Sequence, residues 1–172
     1  MKRLLKGALL VAGTALAISA APAIPAAAAA SGNETFSGTI VFAALPGTDI
    51  RTVIGSVVRA RGVFRGVGRV VELSQPLGQD DLVFPSGTMH VVSTLGGLSF
   101  SINPHSCLFT GTQQLTWDVT GGTGQFADAA GRVTGTVSAV ALLARNPDGS
   151  CSLTQQPRHE VDKFAESGTL SF

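Results

Sequence analysis

Apolar and polar residues alternate with a period of two along most of the chain. In residues 36–42 the even positions are apolar or glycine and the odd positions are mostly hydroxylic, which indicates a half-buried strand. Similar alternation runs through residues 57–73, 112–120 and 131–143. No segment after residue 30 shows a helical period with capping residues. The pattern therefore predicts an all-β protein, either a sandwich or a barrel.

Turn-forming residues mark the predicted connections between strands. Gly96-Gly97 predicts a hairpin between strands at 88–95 and 98–103. Clusters of proline, glycine and aspartate predict two long loops, and short β-rich runs predict the final extended segments. The loops are residues 45–54 and 74–87, and the final segments are residues 152–155 and 161–172.

The two ends of this all-β region have matching patterns. Residues 36–40 and residues 167–172 both alternate small polar with apolar positions. Pairing them would close the sheet and remove both exposed edges, which is how many all-β proteins avoid aggregation. The sequence therefore favours a closed antiparallel β-barrel of about eight strands over a sandwich.

The first thirty residues have the composition of a secretory signal peptide. A basic start with Lys2, Arg3 and Lys6 precedes a short apolar centre, prolines and an alanine run. We expect cleavage after Ala28 or Ala30, although an uncleaved membrane anchor is the alternative interpretation. The expected mature protein is secreted or held in the cell envelope, without a membrane anchor, and residues 31–172 form one domain.

Removing the signal segment changes the charge balance of the chain. Taking three basic residues from the 12 leaves nine against 11 acidic ones, so the mature chain carries a net charge of −2. A mildly acidic chain argues against nucleic acid as a partner.

Cys107 and Cys151 are the two cysteines of the chain. An even count in a secreted protein favours a disulfide over a metal site or a reactive thiol. Closing a loop of this length stabilises the fold by about 4 kcal/mol on the chain-entropy model. A catalytic Cys107 beside His105 is the less favoured alternative.

Residues 117–137 contain the most specific motif of the sequence. Its glycines superficially resemble a dinucleotide-binding loop, but such a loop must lead into a helix N-terminus that holds the pyrophosphate. Here Ala127 replaces the third glycine and strand-forming residues follow. The motif therefore predicts a strand-to-strand connection in which Phe126 plugs one end of the barrel.

The same motif resembles a known signature. Residues 119–126 followed by Ala129 or Ala130 and Gly131 resemble the V-x-G-G-[ST]-G-x-F-x-x-A-x-G pattern of allene oxide cyclases and dirigent proteins. Residues 77–84 are similar to the L-G-D-L-V-x-F stretch of plant cyclases, with residues inserted. Residues 34–172 share the strand rhythm of secreted bacterial barrel-like relatives, but only the first motif is specific. The matching motif positions are Gly121, Gly122, Gly124, Phe126 and Gly131.

The resemblance implies an eight-stranded antiparallel barrel with an apolar cavity, often assembled into homo-oligomers. Members of that superfamily steer the cyclisation or coupling of a reactive intermediate without a cofactor. The plant cyclases carry a catalytic glutamate in an early E-x-N-E segment. This chain offers only Asn33-Glu34-Thr35-Phe36 there, so Glu34 is a candidate without an assigned role.

Other candidate residues follow from the sequence itself. Arg59 and Arg61 share their parity with Arg65 and Arg69, which suggests an anion-binding stripe or, as the favoured interpretation, a solvated outer face. His90 could form an acid–base pair with Asp80 or Asp81 of the preceding loop, although an exposed strand histidine is favoured.

Trp117 and Phe100 are the candidate aromatic residues for ligand binding. The three scattered histidines do not have the spacing of a metal site, so none is predicted.

Two function classes remain open at this point. The first is a secreted barrel that binds a small apolar ligand, with cofactor-free cyclase or isomerase activity as its catalytic form. The second is a non-catalytic extracellular or envelope protein that binds a partner through its surface. An internal cavity with an inward ionisable residue would favour the first class, and a solidly packed lumen would exclude it.

Overall fold

The computed structural model describes residues 30–44, 50–73 and 78–172. Buried and exposed residues alternate along a series of strands in these ranges. Eight strands form a closed antiparallel barrel in which each strand pairs with its neighbour in sequence. The predicted closed barrel is therefore confirmed. The strands are β1 (Ser31–Ala44), β2 (Arg51–Gly62), β3 (Arg65–Glu72), β4 (Gln79–Phe84), β5 (Gly87–Asn103), β6 (Leu108–Gly122), β7 (Ala130–Leu142) and β8 (His159–Ser171).

The first and last strands close the barrel, as their matching patterns predicted. Their pairing runs without a break from Ser31 opposite Ser171 to Ala43 opposite His159. On β1 the even positions face the lumen, and Phe36 and Phe42 are each 1% exposed. Period-two alternation thus sends one set of side chains into a common core.

The run 57–73 is two strands rather than one, because the chain turns at Val63 and Phe64. Gly62 permits the turn with a φ of 157°, and a Cβ there would lie 2.1 Å from the carbonyl oxygen of Asn33. Arg61 pairs directly with Arg65 across the turn. The arginines of the two strands therefore still point to the outer face, although the run is interrupted.

The hairpin predicted at Gly96-Gly97 is wrong, because β5 continues through these glycines with a register shift between Leu95 and Leu98. The reversal comes after Asn103 instead. The Asn103 side chain accepts hydrogen bonds from the backbone N–H groups of His105 and Ser106 at 2.9 and 3.2 Å. An Asx turn therefore replaces the expected glycine turn.

Parts of the two predicted loops are strands. Residues 51–54 begin β2, and residues 79–84 form β4 within the segment assigned to a loop. The acidic pair Asp80 and Asp81 looked loop-like, but their side chains point to opposite faces of β4 and both find partners. The predicted extended segment 152–155 is not a strand: residues 153–155 are bends, and the buried Ser152 hydroxyl accepts two backbone N–H groups there.

The predicted disulfide between Cys107 and Cys151 is present. It joins the β5–β6 turn to the segment between β7 and β8, at the end of the barrel where β1 ends and β8 begins. A disulfide is compatible with an extracellular protein. The predicted signal peptide falls almost entirely on residues outside those described, so it stays a prediction.

Candidate functional site

One end of the lumen is filled by phenylalanine rings that come from the turns and from the C-terminus of the barrel. Phe64 makes edge-on contacts with Phe84 and Phe126, with ring centroids 4.9 and 5.0 Å apart. Phe126 lies in the 3₁₀ turn Gly124–Phe126 and is fully buried. The glycine motif is therefore a strand-to-strand connection whose phenylalanine plugs the barrel, as predicted. We call this the closed end, defined by Phe64, Phe84, Phe126 and Phe172.

Glu34, a candidate catalytic residue, is fully buried near this closed end. Its Oε2 accepts the backbone N–H of Phe64 at 2.8 Å, and its Oε1 accepts that of Thr35 at 3.2 Å. Both carboxyl oxygens are thus occupied by backbone donors. The geometry assigns Glu34 to holding the β2–β3 turn in place.

The opposite end of the lumen contains a cavity of about 550 Å³. We call this part of the barrel the mouth. Its walls are mostly apolar, with a few polar groups among them. The lining includes Ile40, Phe42, Arg51, Glu72, Gln79, Asp80, Ser93, Leu95, Leu115, Trp117, Val137, Asp162 and Phe164.

Trp117 is the aromatic wall of the mouth, where the sequence had placed a candidate ligand contact. Its ring centroid lies 5.1 Å from that of Phe164 and 6.0 Å from that of Phe36, both in edge-on geometry. Because the chain has a single tryptophan, the emission of Trp117 reports directly on this cavity.

Arg51 spans the rim of the mouth. Its guanidinium donates to Glu160 at 2.7 Å and to Glu72 at 3.3 Å, which ties β2 to β8 and β3. The same guanidinium lies 3.7 Å above the centroid of the Phe42 ring. Ion pairing and a cation–π contact therefore hold one positive charge inside an aromatic lumen.

Strands β2 and β3 separate beside Arg51. Their backbone pairing covers only Val58–Arg61 of β2, and beyond it the Ser56 hydroxyl donates to the carbonyl of Val70 and accepts its N–H. A groove of about 670 Å³ follows this separation on the wall of the barrel. The side-chain bridge keeps the wall closed where the ladder is interrupted.

Asp162 of β8 lies in the cavity wall. Burial, the nearby charge of Glu160 and a carboxyl–carboxyl hydrogen bond outweigh the opposing charge of Arg51 and raise the pKa of Asp162 to about 7. Its Oδ1 is buried and has no hydrogen-bond partner among the described residues. A carboxyl group with such a pKa exists in both protonation states near neutrality.

Glu166 lies two inward positions further along β8 and is 4% exposed. Neither of its carboxyl oxygens has a hydrogen-bond partner within the described part of the chain. Burial, assisted by the charge of Asp80, raises the pKa of Glu166 to about 8. The carboxyl is therefore mostly protonated at neutral pH.

Two further carboxyl groups complete the acidic lining. The Asp80 carboxylate accepts the Ser93 hydroxyl at 2.5 Å, but burial still raises the pKa of Asp80. Burial also raises the pKa of Glu72, against the opposing charge of Arg51. The polar chemistry of the mouth is thus dominated by carboxyl groups.

The other predicted site residues lie away from the cavity. His90 Nδ1 and Asp81 Oδ1 are 2.6 Å apart across β4 and β5, on the outer face. Arg59 and Arg61 are exposed on the outer face of β2. Phe100 is 55% exposed and stacks on Phe109, where the β5–β6 hairpin extends past β4.

The sequence offered Asp80 only as a loop neighbour of His90, and it gave no role to Glu72, Asp162 or Glu166. Asp162 follows His159 and Glu160 in a polar stretch typical of a strand edge, but it faces the lumen. The sequence did contain an indication of their direction. Asp162 and Glu166 occupy even positions of β8, as do the buried Phe164 and Leu170, so all four lie on one face of the strand. Acidic residues on the apolar face of a strand were the available indication of a site.

Known proteins offer no independent assignment of this site: no family model, curated protein or solved structure matches the chain. Within residues 30–44, 50–73 and 78–172, no helix is long and apolar enough to cross a membrane. Over the same ranges, no cluster of three or more histidine, cysteine, aspartate or glutamate residues could hold a metal ion.

Proposed function

We propose that this protein is a secreted binding protein that holds a small, largely apolar molecule in the mouth of its barrel. The observation that carries the proposal is the cavity of about 550 Å³ at the end of the lumen opposite the phenylalanine cluster. Small-molecule sites typically have volumes of about 300–1,000 Å³, apolar walls and a few polar groups that orient the ligand. The mouth has each of these properties.

The contrast with a structural barrel supports this proposal. A lumen filled to native packing density leaves no room for a ligand. At the closed end, phenylalanine rings in mutual contact fill the lumen. The mouth keeps its space although aromatic residues line it. The inward carboxyl groups Asp80 and Asp162 add the ionisable chemistry expected of a binding site.

A cofactor-free isomerase or cyclase, as in the allene oxide cyclase and dirigent superfamily, is the second candidate. It is favoured by the Asp162 carboxyl, whose pKa of about 7 suits proton transfer near neutral pH. The closed eight-stranded barrel is compatible with that superfamily. In this proposal Asp162 exchanges a proton with the ligand while the apolar walls fix the ligand conformation.

Native mass spectrometry of the protein purified from culture medium tests the binding proposal and the expected homo-oligomer together. We expect one small molecule for each chain. Val137→Phe, which fills the cavity, should remove the bound mass, whereas Val140→Phe on the exposed face of the same strand should retain it. Equal retention by both variants would place the ligand elsewhere and contradict the proposal.

The catalytic candidate has a separate test. The recovered ligand is incubated with fresh protein, and its isomers are separated by chromatography. Asp162→Asn should abolish any interconversion while the ligand still binds, because the amide cannot exchange the proton. Unchanged interconversion in Asp162→Asn would exclude this residue as the proton carrier.

A further inference from the structure

Acidic groups outnumber cationic groups at the mouth. The described residues provide one cation there. The carboxyl groups around the mouth are Glu72, Asp80, Glu160, Asp162 and Glu166. Arg51 is the cation, and it is already engaged by Glu72 and Glu160. Arg51 also acts on Asp162 through its charge, but among the described residues no ion pair holds Asp80, Asp162 or Glu166.

Three buried carboxyl oxygens are left without a hydrogen-bond partner in the described residues: Asp162 Oδ1, Glu166 Oε1 and Glu166 Oε2. Nearly all buried polar atoms in native proteins are hydrogen-bonded, so unsatisfied ones require an explanation. Glu34 at the closed end shows that the same lumen can satisfy a buried carboxylate fully. The unsatisfied oxygens belong to Asp162 in the cavity wall and to Glu166, which lies deeper in the lumen.

Resting on the proposed function, we propose that the preferred ligand is a cationic amphiphile, an organic amine whose ammonium group pairs with Asp162 and acts on the deeper Glu166 through its charge, while its apolar body lies against Trp117 and Phe164. Asp162 lines the cavity directly. Glu166 lies deeper on the same face of β8, and its carboxyl senses the charge of Asp80, which lines the opposite wall. An ammonium group supplies the N–H donors that the orphaned oxygens lack.

The aromatic walls suit a cation as well as an apolar chain. Trp117 and Phe164 present rings to the cavity, and a cation near such a ring is attracted by its quadrupole. Arg51 over Phe42 is an example of this contact within the same lumen. A ligand carboxylate would instead meet several groups of its own sign.

Ligand binding should be linked to proton release. The pKa values of Asp162 and Glu166 are raised in the free protein, so a bound cation lowers them and expels protons near pH 7. Asp162 faces Glu160 on its own strand, Arg51 of β2 and Glu72 of β3, and its paired neighbours on β1 and β7 are the uncharged Ile40 and Ala139.

The surroundings of Glu166 are simpler. The charged group that acts on it is Asp80 of β4. Its paired neighbours are the uncharged Phe36 on β1 and Gly135 on β7.

The experiment is isothermal titration calorimetry at pH 7 with octylamine, octanol and octanoate, which share one apolar chain and differ in their head group. We expect octylamine to bind about 10- to 100-fold more tightly than octanol, as a charge-assisted hydrogen bond implies, and octanoate to bind most weakly. Buffers of different ionisation enthalpy should reveal proton release with octylamine alone.

Two variants and a matched control locate the effect. Asp162→Asn and Glu166→Gln should each reduce the preference for octylamine over octanol at least fivefold and should release fewer protons. Asp81→Asn removes a carboxyl from the outer face of β4 and should keep the wild-type preference. Octanol affinity should remain similar in all three variants, which confirms that the cavity is intact.

Each outcome has a distinct meaning. Equal binding of octylamine and octanol would overturn the amine assignment and leave the proposed ligand-binding function standing. Unchanged amine preference in both Asp162→Asn and Glu166→Gln would also overturn it. Absence of binding for all three probes would contradict the proposed function itself.

Discussion

The closed end and the mouth are opposite ends of one lumen, and they bury glutamate in different ways. At the closed end, both oxygens of Glu34 accept backbone N–H groups beneath a cluster of four phenylalanine rings. Toward the mouth, Glu166 is almost equally buried, but its oxygens have no partner among the described residues. Satisfied buried groups rigidify a fold, whereas unsatisfied ones cost stability and are characteristic of functional sites.

Chain connectivity explains the difference. At the closed end, the β2–β3 and β4–β5 turns and the β6–β7 connection place Phe64, Phe84 and Phe126 over the lumen. At the other end, the segment between β7 and β8 is fastened to the β5–β6 turn by the disulfide. The connections of the closed end thus fill the lumen with phenylalanine rings, whereas the described residues surround a cavity at the mouth.

Truncating a side chain at each end should give the largest contrast. Phe126→Ala should lower the free energy of unfolding by about 3–5 kcal/mol, because it leaves a void in a fully packed cluster. Ile40→Ala in the cavity wall should cost clearly less, since it only enlarges an existing space. Urea denaturation measures both values, and equal losses would show that the mouth is packed as tightly as the closed end.

Removing the disulfide should lower the free energy of unfolding, because the unfolded chain gains conformational entropy. The double substitution Cys107→Ser with Cys151→Ser opens a loop of 44 residues and should cost up to about 4 kcal/mol on the chain-entropy model. Because the bond joins the β5–β6 turn to the segment before β8, hydrogen exchange should increase first in these two segments. A uniform increase that includes the closed end would contradict a local role.

The pH dependence of stability should come from the mouth. The pKa values of Asp162 and Glu166 rise from ordinary values of 3.8 and 4.5 to about 7 and 8 in the folded protein. The stabilisation of the folded state by these two carboxyl groups is therefore complete below about pH 4 and is lost as the pH rises towards 8. Each carboxyl contributes up to about 1.4 kcal/mol per pH unit in its window.

Glu166→Gln should remove its share of this slope, so that the variant gains stability over the wild type between pH 5 and pH 8. Asp118→Asn is the matched control. A hydrogen bond from Arg132 lowers the pKa of Asp118, so this group stays ionised over that range and the wild-type slope should persist. Urea denaturation gives the free energy of unfolding at each pH. If this free energy changes equally with pH in the wild type and in Glu166→Gln, the assignment is contradicted.

The smallest expected effect comes from the rim. Arg51→Met should cost about 1–2 kcal/mol, because it removes two partly exposed ion pairs and the contact with Phe42. Arg132→Met breaks an exposed pair with Asp118 on the outer face and should cost less. Thermal unfolding of the two variants compares them, and a larger loss for Arg132→Met would argue against a structured rim.

The architecture was predictable because it rests on periodic patterns. Alternation on β1 and β8 predicted their pairing, and the glycine motif predicted the turn that Phe126 plugs. The hairpin at Gly96 failed because side-chain hydrogen bonds of Asn103 supply a turn seven residues later. Strand β4 was missed because its two aspartates look like loop residues until their opposite faces are considered.

The mouth was less predictable, because its acids come from strands far apart in sequence. Asp80 and Glu166 are brought into electrostatic contact only when the barrel closes. His90 and Asp81 do pair, but on the outer face, where sequence proximity had suggested an acid–base site. Parity identifies which residues face inward, whereas the shape of the lumen decides which of them remain without a partner.

Ligand occupancy of the mouth is measured most directly by the emission of Trp117. Titration of octanol should change the emission saturably with one site per chain in the wild type and in Val140→Phe, and should leave Val137→Phe unchanged. A flat wild-type titration, or an equal response in Val137→Phe, would contradict a ligand site in the mouth.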